Sequence, residues 1–180
     1  MQVKSRRRVT DSDASVSALP DPGTKLSGCA AQSLDLQGTG HCAAFNFRRT
    51  ARAVTRLYDE ALQSSGIRST QFAILVAVKK NEPIAIGELG NVLGIDRTTM
   101  TRSLRLLRKD GLLTISKRGE KRQRLVAITP KGEETLGRAV PVWREMQTHF
   151  VNAIGQDYWR DLRNELERLA GVATTLEAPH

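Results

Sequence analysis

Residues 86–129 read IGELGNVLGIDRTTMTRSLRLLRKDGLLTISKRGEKRQRLVAIT. The spacing over Gly87–Leu93 predicts a short helix with Leu89 and Val92-Leu93 toward a core, and Gly94 supplies a turn. Asp96 is a good N-cap for a second helix, in which Met100, Leu104 and Leu107 fall at i, i+4 and i+7 as one core-facing stripe. Gly111 ends that helix. Leu112–Lys117 and Arg124–Ile128 then alternate as two antiparallel strands, with Arg118–Gln123 as the loop between them. That order is a helix-turn-helix followed by a wing, an arrangement suited to placing one helix in a DNA groove.

The charge sits on the same stretch. Between Asp96 and Arg124 ten basic residues face three acidic ones, a local +7 out of a formal +9 for the 180-residue chain. Concentrated positive charge of this kind points to a polyanionic partner, with nucleic acid the common one. The recognition helix is expected over 96–110. With its apolar stripe inward, Arg97, Thr98, Thr101, Arg102 and Arg105 are left outward or flanking. Arginine can pair bidentately with guanine, and threonine offers a hydroxyl and a methyl to base edges. Thr98 and Thr99 lie in the first turn, where free backbone N–H groups can hold a phosphate. The tip at 117–124 is basic and lacks large apolar groups. There Arg122 is the residue expected to enter the minor groove, with Arg118 and Lys121 on phosphates.

Outward from this motif, a helix is predicted from Ala43 to Gln63. A second, mostly apolar one follows from a Thr70 cap to about Lys80, stopped by Asn81-Glu82-Pro83. Ile84–Ile86 reads as a short edge strand. Thr129 and Pro130 open a long helix whose apolar stripe runs through Leu136, Val140, Trp143, Met146, Phe150 and Ile154. Gly155–Asp157 interrupt it, and Tyr158–Ala170 resume. Residues 1–40, rich in Ser, Gly, Asp and Pro, read as a disordered extension.

Composition narrows the function. Aromatic residues make up only 4%, which argues against reading single strands by base stacking. No apolar run approaches the length of a membrane span, so no membrane partner is expected and the expected setting is the cytoplasm. With three histidines, no Gly-rich phosphate loop and no nucleophile constellation, nothing asks for catalysis, a cofactor or a metal. Cys29 and Cys42 do not make a disulfide framework. Cys42 lies at a helix start beside His41, where a thiolate is favoured. The simpler reading is an unreactive thiol, with a redox role as the alternative.

These residues resemble the MarR family of bacterial winged-helix transcription regulators. The likeness is carried by Gln71–Leu75, Ile86–Leu93, Asp96–Arg102, Lys109–Leu113, Glu120-Lys121-Arg122 and Leu125–Gly132, in order and at the family's spacing over roughly residues 42–172. Two positions depart from the pattern. Glu120 stands where an Asp is usual before the wing arginine, and Arg105 where a polar or acidic residue is common. The resemblance implies a homodimer with interlocked terminal helices, a pseudo-palindromic double-stranded DNA operator, and repression relieved by a small ligand or by oxidation. The ligand pocket would lie between the dimer helices and the winged domain, where Arg48, Arg49 and Arg52 could meet an anionic aromatic acid. The residues independently ask for a partner, because Trp143, Met146, Phe150 and Ile154 exceed what a small winged domain can cover.

The expected fold is therefore mainly α with a small β-wing (α+β). A winged helix-turn-helix domain at 67–129 is flanked by helical dimerisation segments at 41–66 and 130–172. The alternative function is an architectural DNA-binding protein of low sequence specificity.

Overall fold

Helical spacing of apolar residues and two breaks at glycine organise the chain. The computed structural model describes residues 35–118 and 123–176. Residues 1–39 and 40–180 form separate units. In the first, Thr39 closes a turn onto the Leu36 carbonyl. Positions 1–34 of the expected extension lie outside the described residues.

In the second unit α1 spans Ala43–Leu62, α2 Ser69–Asn81, β1 Ile84–Ala85, α3 Ile86–Leu93 and α4 Arg97–Lys109. The wing strands are β2 Leu113–Arg118 and β3 Gln123–Ile128, followed by α5 Pro130–Ile154 and α6 Gln156–Thr175. The three strands make one antiparallel sheet in the order β1-β3-β2. The mainly helical fold with a small wing is the one expected from the sequence.

The core lies where α2, α3, α4 and the sheet converge. Leu75, Val78, Leu89, Met100, Leu107 and Val126 are all fully buried. Each such side chain contributes about 1.5–3 kcal/mol by leaving water. Most of the α2 surface is covered, with Phe72, Ile74, Leu75, Ala77 and Val78 all buried. The α3–α4 turn depends on Gly94, which is left-handed at φ 61°.

Several boundaries or orientations differ from the sequence expectation, among them the start of β2 at Leu113 instead of Leu112 and the end of α1 at Leu62 instead of Gln63. The α2 helix opens at Ser69 behind Arg68, not at a Thr70 cap. Its first turn is satisfied from elsewhere: Asp59 of α1 accepts from the Ser69 amide at 2.7 Å and hydroxyl at 2.6 Å, and Gln71 accepts from the Arg68 amide at 2.9 Å. Val92 is exposed at 57%, because the covered face of α3 runs through Ile86, Leu89, Gly90 and Leu93 and leaves it to one side. Ile86 belongs to α3 and not to the strand before it. Arg118 and Gln123 are paired across the wing instead of lying in its loop. Gly155 alone separates α5 from α6, with φ 93°.

The apolar stripe of α5 is also partly met within the chain. Trp143 stacks on Phe72 at 5.7 Å, and Phe150 meets Tyr58 and Trp159 edge-on at 6.2 and 6.3 Å. On the terminal helices the more exposed apolar groups are Phe45 and Phe47 on α1 and Tyr158, Leu166, Leu169 and Val172 on α6.

Where the wing returns to the helices, Thr129 does two jobs. Its hydroxyl caps α5 by accepting from the Gly132 amide at 3.0 Å and donates to the Gly111 carbonyl at 2.7 Å. Gly132 sits so close to β2 that a Cβ would stand 2.2 Å from the Leu112 carbonyl oxygen. Backbone cannot yield as a flexible side chain can. Gly132→Ala is therefore expected to destabilise the protein by about 1–3 kcal/mol. A urea melt within error of wild type would show that this junction relaxes freely.

Candidate nucleic-acid interface

The α4 helix is held by one face and offers the other. Met100, Leu104 and Leu107 are buried, as their spacing requires, while Thr98, Arg102 and Arg105 stand on the opposite side, all exposed. Lys109 continues that row one heptad beyond Arg102 and is also exposed. Arg97 and Thr101 lie on a flank. They line a groove of about 820 Å³ with Glu88 and Asn91 of α3 and Gln123 and Arg124 of the wing stem. A second depression of about 540 Å³ is formed by Arg102, Arg105, Leu106, Arg108 and Lys109.

Arginines without a carboxylate partner among the described residues gather here, as they also do along α1 at Arg48, Arg49, Arg52 and Arg56. Arg68, Arg138, Arg160 and Arg168 each have a carboxylate partner. Among the described residues, Arg97, Arg102, Arg105, Arg108 and Arg124 have none within ion-pair distance. The result is a cluster of cations on one surface with their guanidinium groups uncommitted.

Two details of the sequence expectation change. Thr98 and Thr99 are in the first turn, but their amides are not free. Both donate to Asp96 Oδ1, at 2.9 and 3.0 Å. Phosphate capture by these amides is therefore pre-empted by the cap that forms the helix. The Thr101 hydroxyl donates to the Arg97 carbonyl at 2.7 Å, which leaves its oxygen able to accept. Lys121 and Arg122 lie outside the described residues; Arg118 is the last residue of β2.

Asn91, Arg108 and Lys109 join this surface without having been named as contacts from the sequence, and Gln123 and Arg124 join it from within the tip expected at 117–124. Lys109 was accessible through its seven-residue spacing from Arg102. Asn91 was not, since only folding brings α3 to the flank of α4.

Cys42 is exposed at the N-cap of α1. Arg48 and Arg52 line an open groove along α1 that also holds Asp59 and Glu60; Arg49 is not part of it. A more apolar pocket of about 410 Å³ lies between α1, α2, α3 and α5. Its walls include Tyr58, Phe72, Val76, Leu93 and Trp143, with Lys80 and Asn81 beside them. Tyr58 donates to Gln147 at 2.6 Å, and burial raises the pKa of its hydroxyl. No helix among the described residues is long and apolar enough to cross a membrane.

A capped helix turned outward from a three-stranded wing defines a winged helix-turn-helix protein. The MarR family model matches residues 65–124. The chain is similar to the M. tuberculosis transcriptional regulator MosR, whose structure was solved in complex with DNA. Identity there is 34%, over 75% of this chain and 99% of that one, with a TM-score of 0.66. It shares its fold with the PcaV regulator of Streptomyces coelicolor, solved with its natural ligand, at 22% identity over 79% of this chain and 99% of that one, with a TM-score of 0.66. The Bacillus subtilis regulator YwoH is 26% identical over 48% of this chain, which spans 63% of that relative's length. The chain belongs to the MarR family. Its family and relatives are transcription regulators, not enzymes.

The Asp96 cap has a pH signature. Hydrogen bonds from the Thr99 hydroxyl and amide, then from the Thr98 amide, hold its carboxyl below the ordinary range. A depressed folded-state value means that the cap's contribution is complete above the unfolded value and lost as pH falls through the folded one. The amide proton shifts of Thr98 and Thr99 should therefore titrate together with a midpoint below about 3.9, the ordinary aspartate value. A midpoint at or above that value would remove Asp96 from the cap.

Proposed function

We propose that this chain is a homodimeric, sequence-specific regulator that binds double-stranded DNA. The α4 helix enters the major groove, and the wing lies along the backbone and minor groove. The observation that carries this reading is the exposed face of α4, where Arg97, Arg102 and Arg105 have no carboxylate partner among the described residues. Thr98, Thr99 and Thr101 offer side chains beside them. The wing residues Arg118, Lys121 and Arg122 supply the second set of contacts. That MosR has been solved with DNA supports the same partner here. Residues 67–129 are the DNA-binding part; 41–66 and 130–172 are the dimerisation part.

The regulator acts as a repressor and is released by a small molecule in the pocket walled by Tyr58, Phe72 and Trp143. Those aromatic walls and Lys80 suit an aromatic acid, whereas the α1 groove, with Arg48, Arg52, Arg56 and Arg68 against Asp59 and Glu60, offers charge but no aromatic wall. Binding there would bear on both α5 and α3. Oxidation at the exposed Cys42 is a second route of release.

The deciding experiment is a footprint and affinity titration on the DNA flanking the gene, at about 150 mM salt. A protected inverted repeat with half-sites about 34–36 Å apart is expected, with specific binding about 10³-fold or more above nonspecific binding. Arg102→Ala should cost about tenfold or more at the specific site, in line with a lost bidentate contact of about 1–3 kcal/mol. Diffuse protection that vanishes steeply with salt would favour the architectural alternative.

Exposed Phe45 and Phe47 on α1 and Leu166, Leu169 and Val172 on α6 support the dimer, since a partner would cover them. Light scattering should give twice the chain mass for wild type and for a variant lacking residues 1–40. Leu166→Asp combined with Leu169→Asp should give the single mass and lose DNA affinity. A double variant that keeps the twofold mass would place the interface elsewhere.

A further inference from the structure

The edge strand β1 stops short. It pairs Ile84 with Val126 and Ala85 with Leu125. The same register carried one step along would set residue 82 opposite Ile128. Pro83 intervenes and has no N–H to extend a ladder. The Ile128 amide is nevertheless satisfied, because Glu82 Oε2 accepts from it at 2.8 Å. A side chain has taken the place of a backbone acceptor at the end of β3.

The other carboxylate oxygen continues the connection. Glu82 Oε1 accepts from Lys79 Nζ at 3.0 Å, and Lys79 also bonds Glu133 in the first turn of α5. One chain of polar contacts thus runs from β3, through the end of α2, to the start of α5. Charge-assisted bonds of this sort are stronger than neutral ones. The Glu82 side chain is only 24% exposed, so solvent competes weakly for it.

We infer that Glu82 is a positioning residue for the wing, tying β3 to α2 and α5 so that Gln123 and Arg124 meet DNA at a set angle. This rests on the DNA-binding reading above. Gln123 and Arg124 open β3, and Ile128 closes it. A six-residue strand pinned only by β2 at its far side would pivot about that single ladder. Its other neighbour, β1, is two residues long. Glu82 adds a fixed point beyond the end of β1. The Ile128 amide bond is also the first cause of the lowered Glu82 pKa, ahead of its bonds to Lys79. Because Lys79 reaches α5 as well, a shift of that helix would be felt at β3.

The test compares Glu82→Ala with Glu82→Gln in the full chain. Hydrogen exchange is measured by fragment without DNA, and affinity is titrated on the footprinted duplex well below the melting temperature. In Glu82→Ala, exchange over residues 123–128 should rise about tenfold while α4 stays protected, matching a lost hydrogen bond to a charged group. DNA affinity should fall by a similar factor, with a shallower salt dependence as wing phosphate contacts are lost. Glu82→Gln keeps an oxygen for the Ile128 amide but turns an NH2 toward Lys79, so it should recover most of the β3 protection and affinity lost in Glu82→Ala while leaving the tie to Lys79 broken. Unchanged exchange in β3 overturns the inference, and so does raised exchange with unchanged affinity and salt slope. Failure of wild type to bind any duplex would instead overturn the DNA-binding reading, a result the exchange measurement alone cannot produce.

Discussion

The burial of Met100, Leu104 and Leu107 beneath α4 is the constraint on which the rest of this molecule depends. A helix anchored along one stripe cannot turn about its axis without dragging apolar surface into water. Truncating any one of these side chains would cost about 2–5 kcal/mol. The elements packed on α4 are α3 and β2, and its buried side chains belong to the core they share with α2 and β3. Everything on the far side of α4 is then positioned by default. Arg102, Arg105 and Lys109 point outward because the opposite face has no freedom to let them do otherwise.

Around this anchor the polar groups divide by task. Those at the junctions are used up: Thr129 bridges Gly111 and Gly132, Asp59 closes the α2 start, and Glu82 ends β3. Lys79, bonded to both Glu82 and Glu133, has a pKa raised first by the Glu133 bond. Among the described residues, the cations on the α4 face have no such commitments. An arginine already held by a carboxylate would have to give up that bond before meeting a phosphate or a base. The cations of α4 face no such exchange, which suits them to a partner brought from outside the chain. The close approach of Gly132 to Leu112 has a structural consequence of its own. It joins the wing to the long α5 helix without a linker that could bend.

Periodicity reveals the helices because burial imposes it. The Met100–Leu107 stripe, the Gly94 turn, the Asp96 cap and the Thr129-Pro130 helix start are all local, and all are legible in the chain. What escapes is what depends on distant partners. Asp59 caps a helix that begins ten residues later, so the start of α2 looks like Thr70 when read by itself. Val92 fits an apolar face on its spacing from Leu89, yet the face that is covered runs through Ile86, Leu89, Gly90 and Leu93. Trp143 and Phe150 look unpartnered until Phe72, Tyr58 and Trp159 fold against them. The outward cations of α4 follow from its stripe, whereas Asn91 arrives only through tertiary packing. A first turn offering free amides is a fair generalisation about helices, and it fails here because Asp96 occupies them.

That occupation changes how α4 can approach a polyanion. The leading end of most helices is electropositive and draws phosphate toward it. Here the end carries its own carboxylate, with both nearest amides turned onto it. A phosphate arriving end-on would meet like charge. One arriving along the side would meet arginines. The helix is thereby biased toward lying lengthwise in a groove instead of butting its tip against a strand. A single aspartate, placed to start the helix, also helps to choose the direction from which it can be read.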